Sequence, residues 1–273
     1  MNTKFPWRYL LLAYSLSWLF WIPVALTRKD YQSSPLLLVL VLIGVFGPGI
    51  AGIALTYVEK GKVGGQDFWK RVFDFKRIGT KWYIGIILLW PALHLIALAI
   101  TWLLQGSYPD FEFVNQLISD PFTIPVVVIL YLLQAALEEL GWRGYMQDRV
   151  QRIWNPAIAS LVIGVCHAFW HLPNFWIVGT NQIKWGFGID FSIFVGFIIS
   201  TAIYSTWFYN ANGRSTLAVI LLHCAGNLSL DIFSASGNLQ RIFFVLSILG
   251  AVAIFIIWII RNHISTDEYV LER

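Results

Sequence analysis

The feature that most constrains this chain is its succession of long apolar runs. A helix needs about 20 mostly apolar residues to cross the roughly 30 Å hydrocarbon core of a bilayer. Eight stretches have that character: residues 9–27, 35–58, 82–105, 125–146, 156–178, 187–209, 215–236 and 240–260. Lipid offers no partner to backbone N–H and C=O groups, so each run must satisfy them internally, as a helix. The expectation is an all-α polytopic membrane protein of about eight transmembrane helices, forming one membrane-embedded domain over residues 1–273. Composition excludes an ordinary soluble domain: 12% of residues are charged and mean hydropathy is +0.66, against about 25% charged in soluble proteins.

Lys and Arg set the expected orientation, because short loops rich in them stay in the cytoplasm. With the N-terminus inside, that side collects Lys4, Arg8, Lys60, Lys62, Lys70, Arg71, Lys76, Arg77, Lys81, Arg143, Arg149, Arg152, Arg214, Arg261 and Arg273. The other side keeps Arg28, Lys29, Lys184 and Arg241, beside the acidic loop of Asp110, Glu112 and Asp120. Both termini are therefore expected in the cytoplasm. The net charge of +4 and pI near 9.1 then report topology and anionic headgroups, and nucleic acid is not an expected partner. Lys4 and Arg8 ahead of an apolar core resemble a secretory signal, but no small-x-small cleavage pattern precedes Arg28, so a retained first helix is expected. Cys166 and Cys224 lie inside apolar runs and read as packing residues.

Between the second and third runs, residues 66–81 interleave Phe68, Trp69, Val72, Phe73 and Phe75 with basic side chains, the pattern of a short amphipathic helix at the cytoplasmic interface. Gly47, Pro48, Gly49 and Gly52 predict a kink or a close helix approach. Pro91 and His94 predict a kink and a hydrogen-bonded packing histidine. No internal repeat is present.

Three of the apolar runs carry polar clusters. Residues 137–146, Leu-Glu-Glu-Leu-Gly-Trp-Arg-Gly-Tyr-Met, put two carboxylates and an arginine at the end of the fourth. An ionised group at membrane depth costs about 2.5 to 3.5 kcal/mol on insertion scales, which makes it a functional candidate whose partner should be sought. Glu139 and Arg143, four apart, share a helix face and can pair. Glu138 points about 100° away, with Gln134, and stays free for chemistry. His167 and His171 form a second such row, and His223, Asn227 and Asp231 a third. Rows of this kind face the protein interior or a wet cavity.

If these rows converge, two mechanisms are open. Glu138, His171 and His223 could hold a metal, Zn²⁺ by ligand type, which acidifies a bound water. Alternatively Glu138, aided by His171, activates water directly while His223 and Asn227 donate hydrogen bonds to the tetrahedral oxyanion. Asn is a poor zinc ligand and no His-Glu-x-x-His helix occurs, so the reading that requires no cofactor is preferred.

Glu138-Glu139-x-x-x-Arg143, His171 within Trp170-His171-Leu172-Pro173, and His223-x-x-x-Asn227 together resemble the CPBP family, which comprises CaaX prenyl endopeptidases of the Ras-converting type and the bacterial Abi proteins of bacteriocin processing and immunity. The match covers about residues 125–230. The resemblance implies an intramembrane glutamate-type endopeptidase, often described as a metalloprotease, with a cavity open to the cytoplasm. It implies Glu138 as the catalytic carboxylate, Glu139 and Arg143 as its supporting pair, His171 as the second-motif histidine and His223 with Asn227 as the third motif. The family's second motif is usually Phe-x-x-x-His, and here His167 stands at the Phe position. At 1.5 Å per residue His171 lies about 20 Å into its run and His223 about 12 Å; His167 is a turn shallower, so either histidine can be the one that reaches the water.

The expected function is thus hydrolysis of a peptide bond close to the cytoplasmic membrane face, in a plain or lipidated peptide, by a protein of the bacterial cytoplasmic membrane. A non-catalytic immunity or scaffold protein is the alternative from a different class. A proton-coupled transporter would ordinarily show repeated halves, which this sequence lacks.

Overall fold

The structure, a computed structural model, describes residues 4–106, 111–233 and 237–271, with side chains to residue 260. Asp110, Arg273 and the side chain of Arg261 lie outside the described residues. The chain is a bundle of helices with no strand among the described residues. In order these are α1 (Trp7–Thr27), α2 (Pro35–Gly44), α3 (Gly47–Phe73), α4 (Thr80–Gln105), α5 (Glu112–Ser119), α6 (Thr123–Gly141), α7 (Gln147–Val150), α8 (Pro156–Trp170), α9 (Asn181–Trp185), α10 (Ile189–Ala211), α11 (Thr216–Ile232) and α12 (Gly237–Leu271).

Among the described residues six helices are long and apolar enough to cross a bilayer: α1, α4, the continuous 28-residue unit Thr123–Val150, Pro156–Trp176, α10 and the Asn238–Ile260 part of α12. The second expected span is broken, α2 and α3 meeting at 42°, and counting that pair as one gives seven. The seventh expected run forms α11, of 17 residues, about 26 Å long at 1.5 Å per residue. The protein is a multi-pass membrane protein of all-α fold.

Two features of α3 matter for the site. The bend falls between Gly44 and Gly47, Pro48 stands in the first turn of α3, where a missing backbone donor is tolerated, and the glycines there let α3 lie directly on α6. A Cβ at Gly49 would sit 2.5 Å from the Leu137 carbonyl oxygen, and one at Gly141 would collide with the Pro48 carbonyl and the Tyr9 hydroxyl. The backbone that carries Glu138 and Glu139 is therefore clamped from both sides by bare glycine surface. Gly49→Ala is expected to cost about 1–3 kcal/mol of stability through overpacking, read as a lower unfolding temperature in detergent. At Gly188 a Cβ meets nothing within 4 Å, so Gly188→Ala should stay within about 0.5 kcal/mol of wild type.

Beyond Gly61, whose φ of +58° breaks the helical path, α3 runs on through the first part of the expected amphipathic segment. Phe73 and Phe75 are exposed, as a lipid- or interface-facing pattern requires, but Phe68 and Arg71 are buried. Arg71 Nη2 donates to the Gly144 carbonyl at 2.9 Å and Nη1 to the Tyr209 hydroxyl at 2.8 Å. The segment thus braces the helix that bears the carboxylates.

Pro91 lies inside α4, and His94 is buried as a packing residue, its Nδ1 2.9 Å from Ser229 Oγ and its ring stacked between Phe233 and Phe243. Both cysteines are free.

Candidate active site

The carboxylates occupy the last turn of α6, just before the chain widens into a π-helical turn, Trp142–Met146. Glu138 is 2% exposed, Glu139 1% and Arg143 1%. Groups buried this far need partners, since an unpaired buried charge costs several kcal/mol. The Arg143 Nη1 nitrogen lies 3.0 Å from Glu139 Oε1 and 2.9 Å from Oε2, the pairing that their spacing predicts. His223, at mid-length of α11, donates from Nδ1 to Glu139 Oε1 at 2.8 Å. Glu139 is thus held from its own helix and from a neighbour.

Glu138 is not free, contrary to expectation. His167 in the last turn of α8 donates from Nε2 to Glu138 Oε2 at 2.9 Å. The His167 ring is stacked on Trp142, centroids 4.9 Å apart at 27°, and the π-helical turn is what turns that indole onto it. His167, not His171, is the histidine nearest the carboxylate. The reason is local. Pro173 cannot continue a helix and disfavours it in the residue before, so α8 ends at Trp170, and His171 caps it at the start of a 3-10 turn, Leu172–Trp176. Trp170 anchors this corner to α1, donating from Nε1 to Ser17 Oγ at 2.7 Å while its carbonyl accepts from Trp18 Nε1 at 3.0 Å. His171 stays one layer out, its ring 5.2 Å from that of His167, with Asn174 Nδ2 donating to its Nδ1 at 3.4 Å.

The donor set for a metal differs from the expected one for the same reasons. Ligand atoms of Glu138, His167 and His171 lie within 4.8 Å of one another, whereas His223 is engaged with Glu139. Two imidazoles and a carboxylate are donors that zinc accepts, so these residues fit such an ion.

The groups line a cavity of about 730 Å³. Gln134, Asn227 and Asp231 stand on its wall with Tyr131, whose hydroxyl donates to the Asp231 carboxylate. Trp90, Phe194, Phe197 and Phe244 form an aromatic wall. Toward the rim come Asn181, Lys184, Asp190 and Arg241. α10 begins beside Asp190 at this rim and ends next to Arg214, its 23 residues separating the two by about 35 Å.

Residues 120–229 match the family model for type II CAAX prenyl endopeptidase, Rce1-like, and this interval contains Glu138, Glu139, Arg143, His167, His171, His223 and Asn227. Over that interval the chain is similar to the Rce1-like family. It is similar to CAAX prenyl protease 2 of Methanococcus maripaludis, at 27% identity over 243 residues, 87% of this chain and 88% of that protein. It is also similar to lysostaphin resistance protein A of Staphylococcus haemolyticus, at 25% identity over 187 residues, 67% of this chain and 51% of that protein. The Staphylococcus aureus (strain Newman) protein of the same description is 26% identical over 191 residues, 67% of this chain and 43% of that protein. The chain spans about half the length, or less, of these staphylococcal proteins.

What the sequence did not disclose about this site is the Glu138–His167 contact, the engagement of His223 by Glu139, and the bracing Arg71. The His-for-Phe departure at residue 167 was the one signal for the first; Arg71 is indistinguishable in sequence from the interfacial basic residues around it.

Proposed function

We propose that this protein hydrolyses a peptide bond within the membrane by Glu138-activated water, with no metal required. The observation that carries this reading is the buried Glu138–His167 pair at 2.9 Å on the wall of a cavity large enough for a peptide. Glu138 takes a proton from water as the hydroxide oxygen bonds to the scissile carbonyl carbon. His167 orients the carboxylate. His223, fixed through Nδ1 by Glu139, and Asn227 one turn further along α11 donate hydrogen bonds to the carbonyl oxygen as it becomes an oxyanion. When the C–N bond breaks, the proton held by Glu138 passes to the departing amine, and the products are a carboxylate and an amine terminus.

The aromatic wall suits a bulky apolar side chain or an isoprenoid group, so a lipidated peptide is one substrate class and an unlipidated apolar peptide the other. A second reading is favoured by the Glu138, His167 and His171 donor group: these three would hold Zn²⁺, which would supply an acidified water. A third, an immunity or scaffold role without catalysis, is supported by the description of the staphylococcal relatives as lysostaphin resistance proteins.

Cleavage of fluorogenic peptides, prenylated and plain, by purified protein in detergent tests all three. Activity should persist after incubation with a zinc chelator. Loss on chelation, restored by added Zn²⁺, would establish the metal reading, and failure to cleave any peptide by folded protein would favour the non-catalytic one.

A further inference from the structure

Helices α6 and α11 run antiparallel along the cavity and meet there in two polar rungs. In the first, Glu139 on α6 accepts from His223 on α11 at 2.8 Å. In the second, the Tyr131 hydroxyl on α6 donates to the Asp231 carboxylate on α11. The rungs stand equally far apart on both helices, residues 131 to 139 on one and 223 to 231 on the other, which is about 12 Å at 1.5 Å per residue. Gln134 and Asn227 line the wall between them.

The second rung differs from the first in charge. Glu138, Glu139, Asp190 and Asp231 are the carboxylates among the described residues of the cavity wall. Glu138 is met by His167, Glu139 by Arg143 and His223, and Asp190 by Nε and Nη2 of Arg241. Asp231 has the neutral Tyr131 hydroxyl alone among the described residues, and only its Oδ2 is engaged. It also lies in the last turn of α11, where the helix dipole is negative and disfavours an anion. A purely structural rung needs no carboxylate there, because an amide would bond the same hydroxyl without opposing the dipole. A partly buried carboxylate is favourable where a cation meets it, and here that cation must come from outside the chain.

We infer that Asp231 is a specificity-determining residue that binds a basic side chain of the substrate, Lys or Arg, three to four residues from the scissile bond. The inference rests on the protease reading above and adds to it the charge of the substrate and the position of that charge. An extended peptide advances about 3.3 Å per residue. With its backbone laid along α11 and its scissile carbonyl at His223, the third or fourth residue comes level with Asp231. Leu222, Gly226 and Leu230 complete that face of α11, and the methylene stem of a Lys or Arg can lie on such an apolar surface while its head reaches the carboxylate.

The test compares fluorogenic peptides that differ only in a Lys, Gln or Glu at the third or fourth residue on either side of the scissile bond. With wild type, one of these positions is expected to give a kcat/KM at least about tenfold higher for Lys than for Gln, the scale of a charge-assisted hydrogen bond, and lower still for Glu. Asp231→Asn keeps the shape and the bond to Tyr131, so a structural role would leave that preference in place; the Lys-to-Gln ratio is expected to fall to about 1. Tyr131→Phe removes the rung and keeps the charge, so there the ratio should persist. Each ratio is taken within one preparation and is independent of the folded fraction. Equal rates for Lys and Gln peptides at every position in wild type would overturn the inference. So would a preference that survives Asp231→Asn, or one that disappears in Tyr131→Phe.

Affinity gives the same comparison without turnover. Dye-labelled forms of these peptides, bound to Glu138→Gln protein in detergent and followed by fluorescence anisotropy, should show the Lys peptide held about tenfold more tightly than the Gln peptide. In Glu138→Gln/Asp231→Asn the two should bind alike. If wild type cleaves nothing while this difference in affinity stands, the protease reading fails and the assignment of Asp231 holds. Equal affinities beside intact cleavage would remove the assignment alone.

Discussion

Replacing Glu138 by glutamine is expected to lower peptide cleavage by at least about 10³-fold, within the span that general acid–base groups contribute, and to leave the fold intact. Glutamine has nearly the same shape and can still meet His167 through a hydrogen bond, so the packing around Trp142 is undisturbed. What it lacks is the charge and basicity needed to take a proton from water. A buried carboxylate also carries a desolvation cost that a neutral amide avoids, so the unfolding temperature should be unchanged or slightly raised. Cleavage rates and thermal unfolding of the same detergent preparation decide the matter. Undiminished activity in folded Glu138→Gln would mean that water is activated elsewhere. A loss of activity accompanied by a fall in unfolding temperature would mean that Glu138 is structural.

The contrast between the adjacent carboxylates shows what the sequence could and could not reveal. The helical character of the runs and the Glu139–Arg143 pair were legible because both depend on spacing along one helix, where the rule is local. The partner of Glu138 was not. Choosing between His167 and His171 depends on where α8 stops, and Pro173 makes it stop at Trp170, which moves His171 off the helical row on which spacing alone makes the two residues equivalent. The π-helical turn at Trp142–Met146 is likewise invisible to a 3.6-residue period, yet it stacks Trp142 on His167. Arg71 marks the limit of composition arguments: among many exposed basic residues it alone of its segment is buried, and besides Asp67 on its own helix it meets Tyr209 of α10, the Gly144 carbonyl of the π-helical turn and Asp148 of α7, all far away in sequence.

Arg143 and Glu139 are expected to matter most for stability, and the two should be strongly coupled. Arg143→Met leaves Glu139 buried with His223 as its remaining partner among the described residues, and Glu139→Gln leaves a buried guanidinium whose Nε and Nη2 already lack hydrogen-bond partners. Breaking a buried pair from one side costs about 3–5 kcal/mol, whereas replacing both members by neutral groups is often nearly neutral. The double variant Glu139→Gln/Arg143→Met should therefore recover most of the stability that either single change loses, giving a large coupling energy in a double-mutant cycle. Activity should not recover with it. Glu139 also fixes His223 through the 2.8 Å contact with Nδ1, and a glutamine there no longer holds that ring as a charge-stabilised donor for the oxyanion. Equilibrium unfolding in mixed micelles, run beside peptide cleavage, reads both quantities. Additive single costs would show that the pair contributes no more than two independent contacts, while recovery of activity together with stability would remove Glu139 from the positioning of His223 and leave it a purely structural counter-ion.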